Sequence, residues 1–179
     1  MTREGQTVGH LLVIFFEDLA WRPGVSSRGT TTAMPVDVLT EAMIDRPRER
    51  VAAYVADPSN APAWYVNIKS VEWKTPTPVQ VGSQMAFVAR FLGRRLAYTY
   101  EVVELVEGER LVMRTAEGPF PMETTYTWES VDANRTKMTL RNRGAPAGIA
   151  RLFAPLITTA MRRAMLKDLA RLKILLEQS

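Results

Sequence analysis

Met122-Glu123-Thr124-Thr125-Tyr126-Thr127-Trp128-Glu129 changes character at every step: Met122, Thr124, Tyr126 and Trp128 share one side of an extended chain, and Glu123, Thr125, Thr127 and Glu129 the other. Successive side chains of a strand point to opposite faces, so the stretch reads as a strand with one buried and one wet face. Asp132-Ala133-Asn134 then supplies a turn, beyond which Met138 and Leu140 oppose Lys137, Thr139 and Arg141. Two alternating runs across a short turn make an antiparallel hairpin.

The same signal extends outward from this hairpin, with strands expected at roughly 66–74, 83–91, 95–106, 110–117, 121–130 and 135–142. Leu92-Gly93-Arg94, Glu107-Gly108-Glu109 and Gly118-Pro119 separate them. Such residues tolerate tight or left-handed geometry, so the strands form a meander. Parity turns Met85, Phe87, Ala89 and Phe91 inward, with Tyr98, Tyr100, Val102, Leu111 and Met113, and turns Arg90 and Arg114 outward. Glu123 belongs to the wet face, and a bulge at Val102-Val103 would bring Glu101 inside. A further alternating run, Val36 to Ile44, makes the seventh strand.

Asp45 is the expected N-cap of a brief helix with Pro47 in its first turn, ending near Asp57-Pro58. Pro58 and Pro62 leave room for one more short helix before Trp64. From about Gly148 the period changes. At 100° per residue Ile157, Met161, Met165, Leu169, Leu172 and Leu176 form one stripe, with Arg162, Arg163, Lys167 and Arg171 largely outside it. The fold class is therefore α+β: a seven-stranded curved antiparallel sheet wrapped around a long C-terminal helix, with two short helices after the first strand, the helix-grip arrangement.

Residues 1–33 lack either period and contain Gly24, Ser26, Ser27, Gly29 and a Thr30-Thr31-Thr32 run, so they read as an irregular extension, with Met34 a candidate true start; the domain is 34–179. The 179 residues include no cysteine and one histidine, His10. Thiol nucleophiles, disulfides, iron–sulfur ligation, cysteine-based zinc sites, a serine–histidine–aspartate triad and a multi-histidine metal centre are all excluded. No metal or cofactor is expected. No apolar run approaches the ~20 residues of a membrane span, and Leu11–Phe16 runs into Glu17-Asp18 without a cleavage site, so the protein is read as cytoplasmic.

Several segments resemble the SRPBCC superfamily (START and birch-allergen-like proteins), and its polyketide cyclase/dehydrase-like members in particular. These are Ile44-Asp45-Arg46-Pro47-Arg48-Glu49-Arg50-Val51, the run from Tyr54 to Trp64, Val81-Gly82-Ser83, Tyr100-Glu101-Val102-Val103-Glu104 and the closing stretch from Leu169 to Glu177. The resemblance implies a cavity between sheet and long helix. Parity names its expected lining: Trp64, Met85, Phe87, Tyr98, Tyr100, Met113, Tyr126, Trp128, Phe153, Ile157 and Met161. Methionines adapt to varied apolar shapes and tyrosines and tryptophans add polar tips, which suits a polyketide, sterol or lipid-like ligand carrying a few oxygens.

The first functional expectation is therefore binding or carriage of a small hydrophobic molecule. A cofactor-independent cyclase or dehydratase is the alternative, with Arg90, Arg94, Arg95, Arg114 or Glu101 as groups that would have to turn inward. A regulatory protein-binding domain with a filled core is the third reading. The C-terminal helix carries Arg151, Arg162, Arg163, Lys167, Arg171 and Lys173 against Asp168 and Glu177, which accounts for the chain's net charge of +4. Its basic face admits weak contact with an anionic membrane or an acidic protein; no nucleic acid is expected, and the chain is a monomer or homodimer.

Overall fold

The computed structural model describes residues 36–91, 94–118, 120–145 and 154–179. The expected extension 1–33, the candidate start at Met34, the turn at 92–93 and the expected helix start at Gly148 lie outside the described residues.

Seven antiparallel strands run β1 (Val36–Ile44), β2 (Ile68–Trp73), β3 (Gln84–Phe91), β4 (Arg94–Val106), β5 (Arg110–Glu117), β6 (Met122–Asp132) and β7 (Arg135–Gly144). Their spatial order is β1-β7-β6-β5-β4-β3-β2, a meander from β2 to β7 with β1 added at the far edge. Gly108, at φ 72° in the β4–β5 turn, takes the left-handed conformation that glycine adopts freely. Between β1 and β2 lie α1 (Arg48–Ala56), a single 3₁₀ turn (Pro58–Asn60) and α2 (Ala61–Trp64); α3 (Ala154–Glu177) closes the chain.

One detail differs from expectation. Pro47, not Asp45, occupies the N-cap of α1, without a side-chain cap. Asp45 is instead tied down through its backbone N–H, which donates to Glu177 at 2.7 Å. Asp57 is the residue that caps with its side chain, accepting from Ser59 N–H at the start of the 3₁₀ turn.

The inner face of the sheet and the stripe of α3 make one core. Val36, Val38, Ile44, Met85, Leu111, Met138 and Leu140 from the strands meet Met165, Leu169, Leu172 and Leu176 from the helix, all essentially inaccessible. A buried leucine or isoleucine contributes on the order of 1.5–3 kcal/mol, so this seam holds α3 in place. Arg162 and Lys173 reinforce it by donating to the carbonyls of Leu39 and Met43 on edge strand β1. Edge carbonyls left bare would invite another strand; here the helix covers them.

The outer face is charged in register. Asp37 on β1 is paired with Arg143 on β7, Arg143 with Glu123 on β6, Glu123 with Arg114 on β5, Arg114 with Glu101 on β4, and Glu101 with Gln84 on β3. Charges thus alternate in sign across five strands, and opposite charges at facing positions stabilise the pairing. Glu123 is on the outer face as parity requires, yet it is buried, because Arg114 and Arg143 both fold over it and donate to its two oxygens. Burial alone would raise the Glu123 pKa, but the two guanidiniums hold it below the usual carboxylate value. Glu101 also stays on this face, accepting from Gln84 Nε2 at 2.9 Å.

Candidate functional site

The concave sheet and α3 meet fully along the lower half of the helix but separate toward its first turns. There they frame a cavity of about 220 Å³, lined by residues of all seven strands, α1, the 3₁₀ turn, α2 and the N-terminal half of α3. The volume is below the ~300–1,000 Å³ typical of drug-sized sites and has room for a small ring system or a short chain. Its wall is overwhelmingly apolar.

Of the residues expected to line a cavity, Trp64, Phe87, Tyr98, Tyr100, Met113, Tyr126, Ile157 and Met161 are on this wall. Met85 and Trp128 are not. Both face inward as parity requires, but Met85 sits opposite Trp73 and Tyr100 inside solid core, and Trp128 lies where α1 packs across β6. Alternation reports which face a side chain takes and says nothing of where along the strand the cavity lies. Phe153 lies outside the described residues.

The aromatic wall is ordered by ring contacts. Phe87 and Tyr98 stack at 5.5 Å, with Tyr100 edge-on to both. On the other side Trp64 stacks on Tyr65 at 3.8 Å and meets the edge of Tyr126 at 6.4 Å. These arrangements suit the quadrupoles of the rings and fix their positions. Trp64 Nε1 is buried without an acceptor.

Two polar groupings interrupt the apolar wall. In the first, Tyr100 Oη lies 3.2 Å from Thr124 Oγ1, and Thr124 donates to Asn142 Oδ1 at 2.6 Å. Because an amide carbonyl only accepts, the Thr124 proton is committed to Asn142 and Tyr100 must be the donor to Thr124. That direction turns the Asn142 amide donors to other acceptors. Burial pushes the Tyr100 phenol up to about 12, with its bond to Thr124 acting the other way.

The second grouping surrounds Asp168, which comes from α3 and lies on the cavity wall at 3% exposure. Its Oδ1 accepts from Val66 N–H at 2.9 Å, bridging the helix to the turn before β2. Burial pushes this carboxyl up to about 6, against the lowering influence of Val66 N–H and Arg171. Beside it Tyr65 and Tyr126 share a hydrogen bond of 2.7 Å. Whichever phenol donates, the other retains a proton for a third partner. Burial raises the pKa values of Tyr65, Tyr98 and Tyr126, and the Asp168 charge adds to the rise in each, so all three remain phenols.

Asp168, Tyr65 and Asn142 were not among the expected site residues. The signal for Asp168 is present in the helical arithmetic: at 100° per residue it falls between Ile157 and Met161 on the apolar stripe. Asn142 continues the inward row of Met138 and Leu140. Tyr65 follows a four-residue helix, where no period exists to place it. Conversely, the arginines considered for chemistry stay out: Arg90 and Arg95 are exposed, Arg114 is bound to Glu123, and the Arg94 side chain lies outside the described residues. Among the described residues no cluster of acids and histidines can hold a metal ion.

Residues 35–177 match the family described as polyketide cyclase/dehydrase and lipid transport. The chain belongs to that family. No curated protein matches it in sequence. Among solved structures it resembles TTHA0849 from Thermus thermophilus, with TM-score 0.68 and 19% identity over 78% of this chain and 96% of that one. It resembles equally the Zhui aromatase/cyclase from a Streptomyces species, with TM-score 0.68 and 15% identity over 79% and 93% of the two chains. A START superfamily protein from Mycobacterium smegmatis gives TM-score 0.68 and 14% identity over 79% and 97%. At these identities the likeness is one of fold, the helix grip. No described helix is long and apolar enough to cross a membrane.

Proposed function

We propose that this family member binds and carries a small hydrophobic molecule bearing one or two oxygens, held between the sheet and α3. The observation that supports this best is the aromatic cavity itself, whose few polar groups are gathered at Asp168–Tyr65–Tyr126 and at Tyr100–Thr124–Asn142. A flat apolar body stacks against the Phe87–Tyr98 wall, and its oxygens meet the remaining phenolic proton or the Asn142 amide. A filled core, which a purely protein-binding domain would have, is at odds with that cavity. The test is native against denaturing mass spectrometry of the purified chain. A one-to-one apolar adduct released on denaturation is expected; a ligand-free chain that also takes up no apolar probe would overturn the reading.

A second reading, a cofactor-independent cyclase or dehydratase, is favoured by one observation, the ionisable Asp168 among phenols. A carboxyl titrating at about 6 exchanges protons near neutral pH. As carboxylate it would take a proton from a carbon beside a ketone, and a phenol would donate to the enolate oxygen. The enolate carbon would then attack a second carbonyl, whose oxygen receives the proton. Under this reading Asp168→Asn abolishes turnover of a poly-ketone while still binding it. Equal turnover by parent and variant would remove Asp168 from the chemistry.

A further inference from the structure

We propose that the outward face of α3 docks the protein on an anionic lipid surface. At 100° per residue Leu156 and Ile174 point in the same direction, and Arg163 and Lys167 lie about 20° to either side of it. Met165, at the heart of the buried stripe, points the opposite way. Leu156 and Ile174 are 49% and 57% exposed, and Leu166, on the flank of the same face, is 50% exposed. Arg163, Lys167 and Arg171 are exposed as well. Asp168 is turned into the cavity, and the one acid on the flank of the face, Glu177, is bound to Lys173 and to Asp45 N–H.

Most of the sheet treats its cations differently, although Arg90 and Arg95, facing each other on β3 and β4, are also exposed and outside any ion pair among the described residues. On the sheet, Arg114 and Arg143 are balanced by Glu123, Arg141 by Asp37, Lys137 by Glu41 and Glu129, and Arg110 by Glu104. Arg163 and Lys167 enter no ion pair among the described residues. Positive charge is therefore left unbalanced where large apolar side chains are also left in water. Along a straight line of about 27 Å, Leu156 and Ile174 bracket Arg163 and Lys167, with Leu166 and Arg171 on the flanks. A plane of anionic headgroups matches that pattern: it offers negative charge along the whole line and accepts leucine and isoleucine side chains between headgroups. An acidic protein would need separate recesses for Leu156, Leu166 and Ile174. The opposite side of the same helix lines the cavity, so docking brings the cavity within one helix diameter, about 10 Å, of the lipid.

The experiment is co-flotation of the full chain with vesicles of phosphatidylcholine alone and with about 30% phosphatidylglycerol added, enough to give the surface a negative potential. Binding is expected only to the anionic vesicles and falls as salt is raised. Each basic residue near such a surface changes partitioning about fivefold, so Arg163→Glu with Lys167→Glu lowers it at least about 25-fold. Leu166→Ser with Ile174→Ser lowers it too, at low and high salt alike. Cooperative urea unfolding near the parental midpoint, measured without vesicles, shows that both variants are folded. The inference is overturned by absence of flotation, by equal binding to neutral vesicles, or by binding that survives the charge reversal. The last result would move the contact to another segment, such as the apolar run Leu11–Phe16. Vesicle binding is read without a cavity ligand, so its failure leaves the cavity reading standing, and the reverse holds too.

Discussion

Replacing Asp168 by asparagine tests whether a carboxyl is held in the cavity wall at the expense of stability. The folded protein holds this group at about 6, against 3.8 for a free aspartate. Burial therefore penalises the ionised form by about 3 kcal/mol once both states are ionised. Because the folded pKa is raised, the folded state binds more protons than the unfolded one between these values, and stability falls as pH rises through the window. At pH 4 only about a fifth of the penalty is felt, and by pH 8 it is complete, so the parent loses roughly 2–3 kcal/mol between them from this residue alone. The asparagine that replaces Asp168 keeps an oxygen for Val66 N–H and has nothing to titrate. The stability difference between variant and parent should therefore move by roughly 2–3 kcal/mol in the variant's favour from pH 4 to pH 8. Urea unfolding followed by circular dichroism reads this as a relative midpoint shift of about 1–2 M. Parallel pH profiles for the two proteins would mean that the carboxyl is not desolvated, and would return Asp168 to solvent.

Other expectations follow from the same contacts. Glu123→Gln leaves Arg114 and Arg143 bracketing a neutral side chain and costs about 1–2 kcal/mol near neutral pH. Glu123 has a lowered pKa, so its contribution is present above 4.5 and lost as pH falls through the folded value; the variant's urea midpoint should match the parent's in strong acid. Tyr126→Phe and Tyr65→Phe each strand one buried hydroxyl at a cost of about 1–2 kcal/mol, and the double variant should cost less than their sum in a double-mutant cycle. Under the carriage reading, Asn142→Ala weakens probes with a carbonyl and leaves hydrocarbons unaffected, which competition for the cavity would detect.

The sheet was legible because alternation is a local property: Met122 to Trp128 and Val36 to Ile44 each declare their faces, and the turn residues declare the pairing. What alternation lacks is position along the strand, which is why Met85 and Trp128 looked equivalent to Phe87 and Tyr126. Only the course of α1 and α3 over the sheet decides which inward residues meet a helix and which meet empty space. Glu123 shows a second limit, since its burial comes from two long arginine side chains and not from the backbone. Asp168 is a different case. Its angle on the helix was readable, but counting it among surface charges hid the one acid that the apolar stripe contains.

Carriage requires above all that the cavity take a ligand. Equilibrium dialysis of 2-naphthol against the parent and against Ala164→Phe addresses this, because Ala164 lies on the wall and a phenyl ring there fills much of the 220 Å³. Saturable one-to-one binding by the parent is expected, with its loss in a variant that still unfolds cooperatively. Equal binding by both proteins, or none by either, would show that the space between sheet and α3 is not a binding site.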